Sequence, residues 1–323
     1  MGVELGIRAG NGIELLGEPN CFFDPVTVGV SGAYCISHAH EDHLPRSLEG
    51  RKVLCSEATL RYASSKLGSE LEIGGSDGIE MRGAGHVTGS TMFLSTGERR
   101  VLYTGDFCPR DRLRIEGARP VKADALIIEA TYGKAGYVFP PTAELMGVIR
   151  DWVEDSLSQG SSVALLAYPL GKSQEPISLL GDLGPYLHGA VLNATRIAKG
   201  PASLTACLPY FREAVREPFL LVCPMSARNS SLIRYWRKRG IRTAAVSGWA
   251  VDSSYRYRIG VDEAFPLSDH ADFEELLSFV KGCDPSIVFT SHGFVKELAV
   301  EIRRRLGIPA EPLIRNQRSL LEF

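Results

Sequence analysis

Between positions 38 and 43 the chain reads His38-Ala39-His40-Glu41-Asp42-His43, three imidazoles and a carboxylate spaced H-x-H-x-D-H. Imidazole nitrogen and carboxylate oxygen are the donors that first-row divalent metals take, zinc foremost. The run follows Ala33-Tyr34-Cys35-Ile36-Ser37, a short apolar stretch of strand character. A strand running into a polar loop can aim alternate side chains at a common point. Of the seven histidines, three lie in this cluster, and His86, His270 and His292 each sit in a short segment with chemistry of its own. His188 reads as incidental.

The remaining chemistry-bearing residues recur at the ends of apparent elements. Gly85-His86-Val87-Thr88-Gly89-Ser90 sets a histidine between glycines, where backbone can approach a metal closely. Tyr103-Thr104-Gly105-Asp106 ends a strand with a carboxylate on a turn, suited to a bridging ligand. Ile127-Ile128-Glu129 ends another strand with an acid, Ser268-Asp269-His270-Ala271-Asp272 puts a histidine just before a helix, and Phe289-Thr290-Ser291-His292 ends a strand with a histidine. Singly, each also reads as a cap or turn residue; with the cluster they form a set of one chemistry.

The elements that must position this set are strands and loops up to about residue 130, broken by Pro140-Pro141. A helix is expected next, with Thr142 as N-cap, an apolar face of Leu145, Ile149, Trp152, Val153 and Leu157, and Gly160 at its end. Strands at 162–167, 219–223 and 243–247 alternate with helices at 173–180 and 230–239, which predicts a small parallel sheet. The tail returns to the first pattern, with a helix at 272–280, a strand at 287–291 and a basic helix at 295–306. The chain therefore reads as one domain, residues 1–140 and 248–323, carrying an insert at 141–247. The cleft between the two is the expected substrate site.

A chain of 323 residues, 44% hydrophobic and 23% charged, is ordinary for a globular protein and can hold one large or two ordinary domains. No apolar run approaches a membrane span, so no membrane partner is expected. The start shows no signal-peptide pattern. Seven cysteines without a C-x-x-C pair argue against a disulfide framework or a thiolate zinc site and fit reduced thiols in the cytoplasm. The net charge of −2 hides a segment, Ser226 to Gly260, in which eight basic residues face one acid, Asp252, for a net +7. Tyr235, Trp236, Trp249, Tyr255 and Tyr257 are interleaved with these cations. Arginine beside aromatics suits a surface that tracks a phosphate backbone and stacks bases; a solvated helix face over core aromatics reads equally well.

The chain resembles the β-CASP branch of the metallo-β-lactamase fold nucleases over essentially its whole length. His38, His40, Asp42 and His43 match the superfamily's signature loop, and His86 and Asp106 its third and fourth motifs. Glu129, His270 and His292 match the three motifs that mark the β-CASP branch, and Asp24 in Phe22-Phe23-Asp24-Pro25 matches the first motif, an acid that supports the metal loop. Within the branch the resemblance is to the compact ligase-associated DNA exonucleases and the messenger RNA 3′-end processing factors of prokaryotes. It is carried by Ala167-Tyr168-Pro169-Leu170-Gly171-Lys172-Ser173-Gln174, Val246-Ser247-Gly248-Trp249 and Leu267-Ser268-Asp269-His270-Ala271-Asp272. It implies an α/β fold, the αββα metallo-β-lactamase sandwich with a small inserted parallel α/β domain. The insert is shorter than in the large RNA-processing relatives.

The resemblance also implies two zinc ions, one held by His38, His40 and His86, the other by Asp42, His43 and His292, with Asp106 bridging; manganese could take their place. Such ions sit roughly 3.5–4 Å apart and activate a shared water for in-line attack on phosphorus. Asp42, His270 and Glu129 are the catalytic candidates. His270 is the expected acid for the leaving oxygen, oriented by Glu129, because a neighbouring carboxylate favours the imidazolium. His292 is either ligand or acid, and ligand is favoured because the second ion otherwise lacks protein donors. Lys172, Ser173 and Gln174, where a strand meets a helix, and Arg228 are candidates for holding a substrate phosphate; an ordinary helix start is the alternative for that turn.

These readings converge on a DNA exonuclease working in repair, with nucleic acid as partner and an association with DNA ligase. The alternative is a ribonuclease that processes RNA ends. Small-molecule hydrolysis on the same scaffold is more remote, since a lactam or thioester needs no basic groove, and a non-catalytic binding subunit would be expected to have lost metal donors.

Overall fold

A computed structural model describes residues 6–17, 20–29, 31–46, 52–68, 72–75, 78–112, 115–197 and 207–314. In chain order the first strands are β1 (Gly6–Gly10), β2 (Gly12–Leu16), β3 (Cys21–Phe23), β4 (Ala33–Cys35) and β5 (Lys52–Val53). Helix α1 (Glu57–Leu67) follows, then β6 (Glu72–Ile73), β7 (Ile79–Gly83), β8 (Thr91–Thr96), β9 (Arg100–Tyr103) and β10 (Ala125–Ala130). Next come α2 (Thr142–Ser158), β11 (Val163–Ala167), α3 (Gln174–Leu179), β12 (Tyr186–Leu187), α4 (Gly189–Ile197), β13 (Leu208–Pro209) and β14 (Leu220–Pro224). The chain continues with α5 (Ser231–Arg237), β15 (Arg242–Val246), α6 (Tyr255–Ile259) and β16 (Glu263–Phe265), and closes with α7 (Phe273–Cys283), β17 (Ile287–Gly293), α8 (Val295–Leu306) and β18 (Ala310–Pro312).

The described residues divide into two compact units. The first holds those up to Asp111, Ile115–Tyr137 and those from His270 onward; the second holds Arg112 and Val138–Asp269. In the first unit a four-stranded sheet, β1-β2-β3-β4, faces a six-stranded sheet ordered β18-β17-β10-β9-β8-β7. The residues between them come from both: Ile7, Ile13, Phe23 and Cys35 pack with Phe93, Val101, Tyr103, Ile127 and Phe289. Period-two alternation sends the intervening residues, Leu94, Leu102, Leu126 and Ile128, to the other face, where Phe273, Leu276 and Val280 of α7 and Leu298 and Ile302 of α8 cover them. Helix α1 covers the outer face of the smaller sheet through Ala63 and Leu60, against Tyr34, Ile36 and Val53. Each large apolar side chain buried in these layers contributes roughly 1.5–3 kcal/mol.

Strand β10 is parallel to both of its neighbours, β9 and β17. That explains the unbroken Ala125-Leu126-Ile127-Ile128 run: a strand covered on both faces has no polar side to show. Three parallel strands end at one edge of the sheet, and there the sequence places Asp106, Glu129 and His292.

The second unit is built on a six-stranded sheet, β13-β12-β14-β11-β15-β16, in which every pair is parallel. Helix α2 covers Val163, Leu165 and Val246 with Leu145, Ile149 and Val153, and α5 covers Ala164, Leu166 and Leu221 with Ile233 and Trp236. The expected boundary at 247/248 falls inside this unit. Ala244–Val246 pairs with Glu263–Phe265, so the chain makes one further crossover through α6 before returning to the first unit at His270. Thr142 is the first residue of α2, and Pro141 stands at the N-cap without a side-chain cap bond.

Candidate metal centre

Ser37 and His38 follow β4, where the Ser37 carbonyl accepts from the Thr91 N–H at 2.9 Å. The ring nitrogens of His38 (Nε2), His40 (Nδ1) and His86 (Nε2) then converge. Nε2 of His38 is 3.0 Å and Nε2 of His86 3.2 Å from Nδ1 of His40. With an Asp106 oxygen these donors all lie within 4.8 Å of one another, and His38, His86 and Asp106 are buried. The His86 loop is held by Ser90, whose hydroxyl oxygen accepts from the backbone N–H of His86 at 3.0 Å and of Val87 at 3.2 Å. Gly105, at φ +53°, lets Asp106 turn inward; a Cβ there would stand 2.6 Å from the Ser37 side chain.

A second donor group adjoins the first. Nε2 of His43 is 3.4 Å from Asp106 Oδ2 and 3.7 Å from Oδ2 of the largely exposed Asp42. The His292 ring stands 5.2 Å from the His43 ring. The same Asp106 oxygen is 3.6 Å from His38 and 3.8 Å from His86, so it faces both groups, as a bridging ligand must. His292 reaches this place through a bulge. Glu129 pairs with Ser291 and Ala130 with Gly293, which leaves His292 as an extra residue on β17 at φ +55°. Bulges re-aim side chains, and a left-handed non-glycine residue is held there by its surroundings.

Asp24 also lies among the donors, its ligand atom within 4.8 Å of those of His38 and His43. Its oxygens accept from Ser37 N–H and Ser37 Oγ–H, both at 2.6 Å, and from Tyr103 O–H at 2.8 Å; the His43 Nδ1–H donates to it at 2.7 Å. With Nδ1–H committed to Asp24, Nε2 is the His43 nitrogen turned toward Asp106, the arrangement in which a carboxylate supports a metal-bound histidine. Neither Tyr103 nor Ser37 stands out in the sequence as part of the site.

The electrostatics suit a cation. Burial, with His43 and His40 close by, holds His38 well below the usual imidazole range, so the ring is neutral, as a metal donor would need to be. Burial opposes a charge on His43, but Asp106 and Asp24 outweigh it and hold that imidazole well above its ordinary range. Burial likewise opposes ionisation of Asp106, yet the facing His43 keeps its carboxyl well below the carboxylate range. The carboxylates thus draw positive charge into the cluster, and a divalent cation would supply it without protonating the donors.

Beside the donors stands a dyad. His270 Nδ1 is 3.0 and 3.1 Å from the two Glu129 oxygens; a carboxylate only accepts, so Nδ1 carries the proton. The His270 ring lies 4.4 Å from that of His86. Glu129, almost wholly buried, also accepts from Phe107 N–H at 2.7 Å and from the Thr131 hydroxyl. Arg110, which carries no sequence signal, donates to the His270 carbonyl at 2.8 Å and pairs with Glu275. Glu275 closes a capping box with Asp272 at the start of α7, which explains the acid three residues after the cap.

The residues expected to hold phosphate lie in the second unit, at the C-terminal edge of its sheet. Lys172 is buried, with its amine paired to Asp269. Ser173 Oγ–H donates to the Tyr168 carbonyl at 2.8 Å, and Gln174 bonds Pro169, Thr195 and the Gly171 N–H. These bonds build the turn itself. Arg228 sits half-buried in a 3-10 turn, Met225–Asn229, after β14. Trp236, counted among the interleaved aromatics, is core. All seven cysteines are buried.

Two facing sheets covered by helices, with histidine and aspartate donors on the loops at one edge, make this the metallo-β-lactamase fold. Comparison with known proteins agrees. Over 288 residues, 84% of this chain, it is 35% identical to a protein named "probable DNA ligase" of Opitutus terrae. Over 111 residues, 33% of the chain, it is 32% identical to the endoribonuclease YSH1 of Candida albicans. Over 190 residues, 55% of the chain, it is 26% identical to the transcription termination factor FttA of Pyrococcus abyssi. The matches span 28%, 12% and 28% of those proteins, so the chain corresponds to less than a third of each relative. No family model matches. The chain belongs to the β-CASP branch of the metallo-β-lactamase fold, and the parallel sheet of its second unit is that branch's insert.

Proposed function

We propose that this protein is a metal-dependent phosphodiesterase that acts on DNA, an exonuclease of DNA repair. The observation that carries the reading is the His270–Glu129 dyad packed against a converged set of histidine and aspartate donors. His38, His40 and His86 would hold one zinc ion and Asp42, His43 and His292 another, with Asp106 shared and manganese able to substitute. When bound, the ions supply Lewis acidity toward phosphoryl oxygen and lower the pKa of water toward neutrality.

The protein's own groups do the rest. Glu129 keeps the Nδ1 proton on His270 and stabilises the imidazolium, so that Nε2–H can protonate the leaving sugar oxygen. Asp24 holds His43 in the tautomer a ligand needs. Phe107 N–H and the Thr131 hydroxyl hold Glu129 in place, and Arg110 holds the His270 backbone.

The DNA preference is supported by the similarity over most of this chain to a protein named DNA ligase, and the same match supports an association with ligation. Seven cysteines, an odd number without a C-x-x-C pair, support a cytoplasmic setting. A second reading, a ribonuclease acting on RNA ends, is favoured by the likeness to the Candida endoribonuclease. Matched end-labelled single-stranded DNA and RNA, each with a 5′-phosphate or a 5′-hydroxyl, decide between them, with Asp42→Ala/His43→Ala as control. DNA cleavage lost in the control supports the first reading and its product ladder gives the polarity. Preferential RNA cleavage supports the second. No cleavage by zinc-loaded protein refutes both.

A further inference from the structure

Among the described residues some cations are neutralised by carboxylates and others are not. In α8, Arg304 and Arg305 are tied to Glu301 and Glu274. In the second unit Arg256 pairs with Glu263 and Arg258 with Asp252. At the end of α5 this stops. Arg234, Arg237, Lys238 and Arg239 are exposed, and among the described residues no carboxylate lies within ion-pair distance of any of them. Arg234 and Arg237 donate to backbone carbonyls, of Asn229 and Gly260. A helix C-terminus favours a cation, but the effect fades within one turn and does not account for four neighbouring like charges that repel one another.

Aromatic planes adjoin them. The Arg239 guanidinium lies 3.8 Å from the centre of the Tyr235 ring, and the Arg212 guanidinium 5.1 Å from the same ring. Among the described residues Arg212 meets a carboxylate only at the exposed Glu213, 3.4 Å away. Next to it Phe211 is 61% exposed, an apolar ring left in water. Two guanidinium planes on one phenol, an open phenyl ring and a row of bare cations combine what an unpaired polynucleotide needs, flat surfaces for bases and charge for phosphates. A duplex hides its base faces, and an acidic peptide has none.

We propose that Phe211, Arg212, Tyr235, Arg237, Lys238 and Arg239 form a binding face for single-stranded polynucleotide, built from residues none of which belongs to the metal centre. It rests on the nuclease reading only in taking this polymer to be the substrate's class; its role is to hold strand beyond the scissile phosphate.

The test measures binding by the full chain in chelator, where cleavage cannot intervene. The probes are fluorescent single-stranded DNA and RNA of about 16 nucleotides, the DNA as a duplex, and poly-glutamate. The variants are Arg237→Glu/Lys238→Glu/Arg239→Glu, the single Lys238→Glu, and Phe211→Ser, all at exposed side chains and each checked for native circular dichroism. The triple variant should weaken single-strand binding at least about tenfold and cut the log–log salt slope by about 2. Lys238→Glu should show a fraction of both effects. Phe211→Ser should weaken single strands and leave the duplex unchanged. The DNA and RNA arms show which polymer the face prefers. Unchanged affinity and slope in the charge variants, or equal losses for single strands, duplex and poly-glutamate, would overturn the proposal. A protein that binds strands through this face but cleaves none refutes the nuclease reading alone; one that cleaves while its variants bind like wild type refutes the face alone.

Discussion

Asp24 and His43, 19 residues apart in sequence, are joined by a 2.7 Å hydrogen bond from the imidazole Nδ1–H to Asp24 Oδ2. Because the other Asp24 contacts come from Ser37 and Tyr103, one carboxylate ties the signature loop to β4 and β9. Asp24→Asn keeps the shape and removes the charge. Metal affinity at the His43 group should fall about 10–100-fold, read by competition with a chromogenic chelator, with activity restored at high metal. Unchanged affinity would make Asp24 a purely structural residue.

His270 and Glu129 predict a split between chemistry and metal content. His270→Ala should lower the rate by about 10²–10⁴ while elemental analysis finds the metal unchanged. An aryl phosphodiester, whose phenolate leaves without a proton, should recover most of the loss. Glu129→Gln should lose less and recover in the same way. If His270→Ala loses metal, the residue is a ligand and the acid lies elsewhere.

Lys172 makes a different claim from the one its sequence position suggests. Its side chain is 6% exposed and that of its partner Asp269 fully buried. Lys172→Met would leave the Asp269 carboxylate buried without its cation, a loss of about 3–5 kcal/mol in urea unfolding. Lys172→Met/Asp269→Asn should recover much of it. If Lys172 instead holds a substrate phosphate, Lys172→Ala would impair 5′-phosphorylated ends more than 5′-hydroxyl ends and leave stability nearly unchanged.

How legible the site was followed from where its information lies. His38, His40, Asp42 and His43 sit within one loop, and ligand type and spacing are local properties that a sequence displays. The parallel sheet was equally visible, since strand–helix alternation repeats through 162–247. What stayed hidden depends on long-range pairing. Tyr103 reads as one more aromatic until it meets Asp24 across 79 residues. Arg110 is one arginine among many until β10 and α7 bring His270 to it. The second compact unit runs past 247 to Asp269 for the same reason: the strand at Glu263–Phe265 is three residues long, too short to announce itself. The turn at Lys172 shows the opposite error, since a lysine at a strand–helix junction looks available until the structure supplies Asp269.

His292 carries two burdens that substitution can separate. It is the donor proposed for the second ion, with its ring 5.2 Å from that of His43, and a left-handed residue by conformation, at φ +55° in the β17 bulge. Alanine removes the donor and keeps the strained conformation; glycine removes the donor and relieves the strain. In metal-free protein His292→Gly should therefore unfold at higher urea than His292→Ala, by about 1 kcal/mol. Both should bind fewer ions than wild type, with the His38, His40 and His86 group still filled. Equal stability of the two variants would mean that the bulge relaxes around alanine. Full metal content in both would remove His292 from the ligand set and return it to the role of acid, which the rate of His292→Ala on the aryl phosphodiester would then reveal.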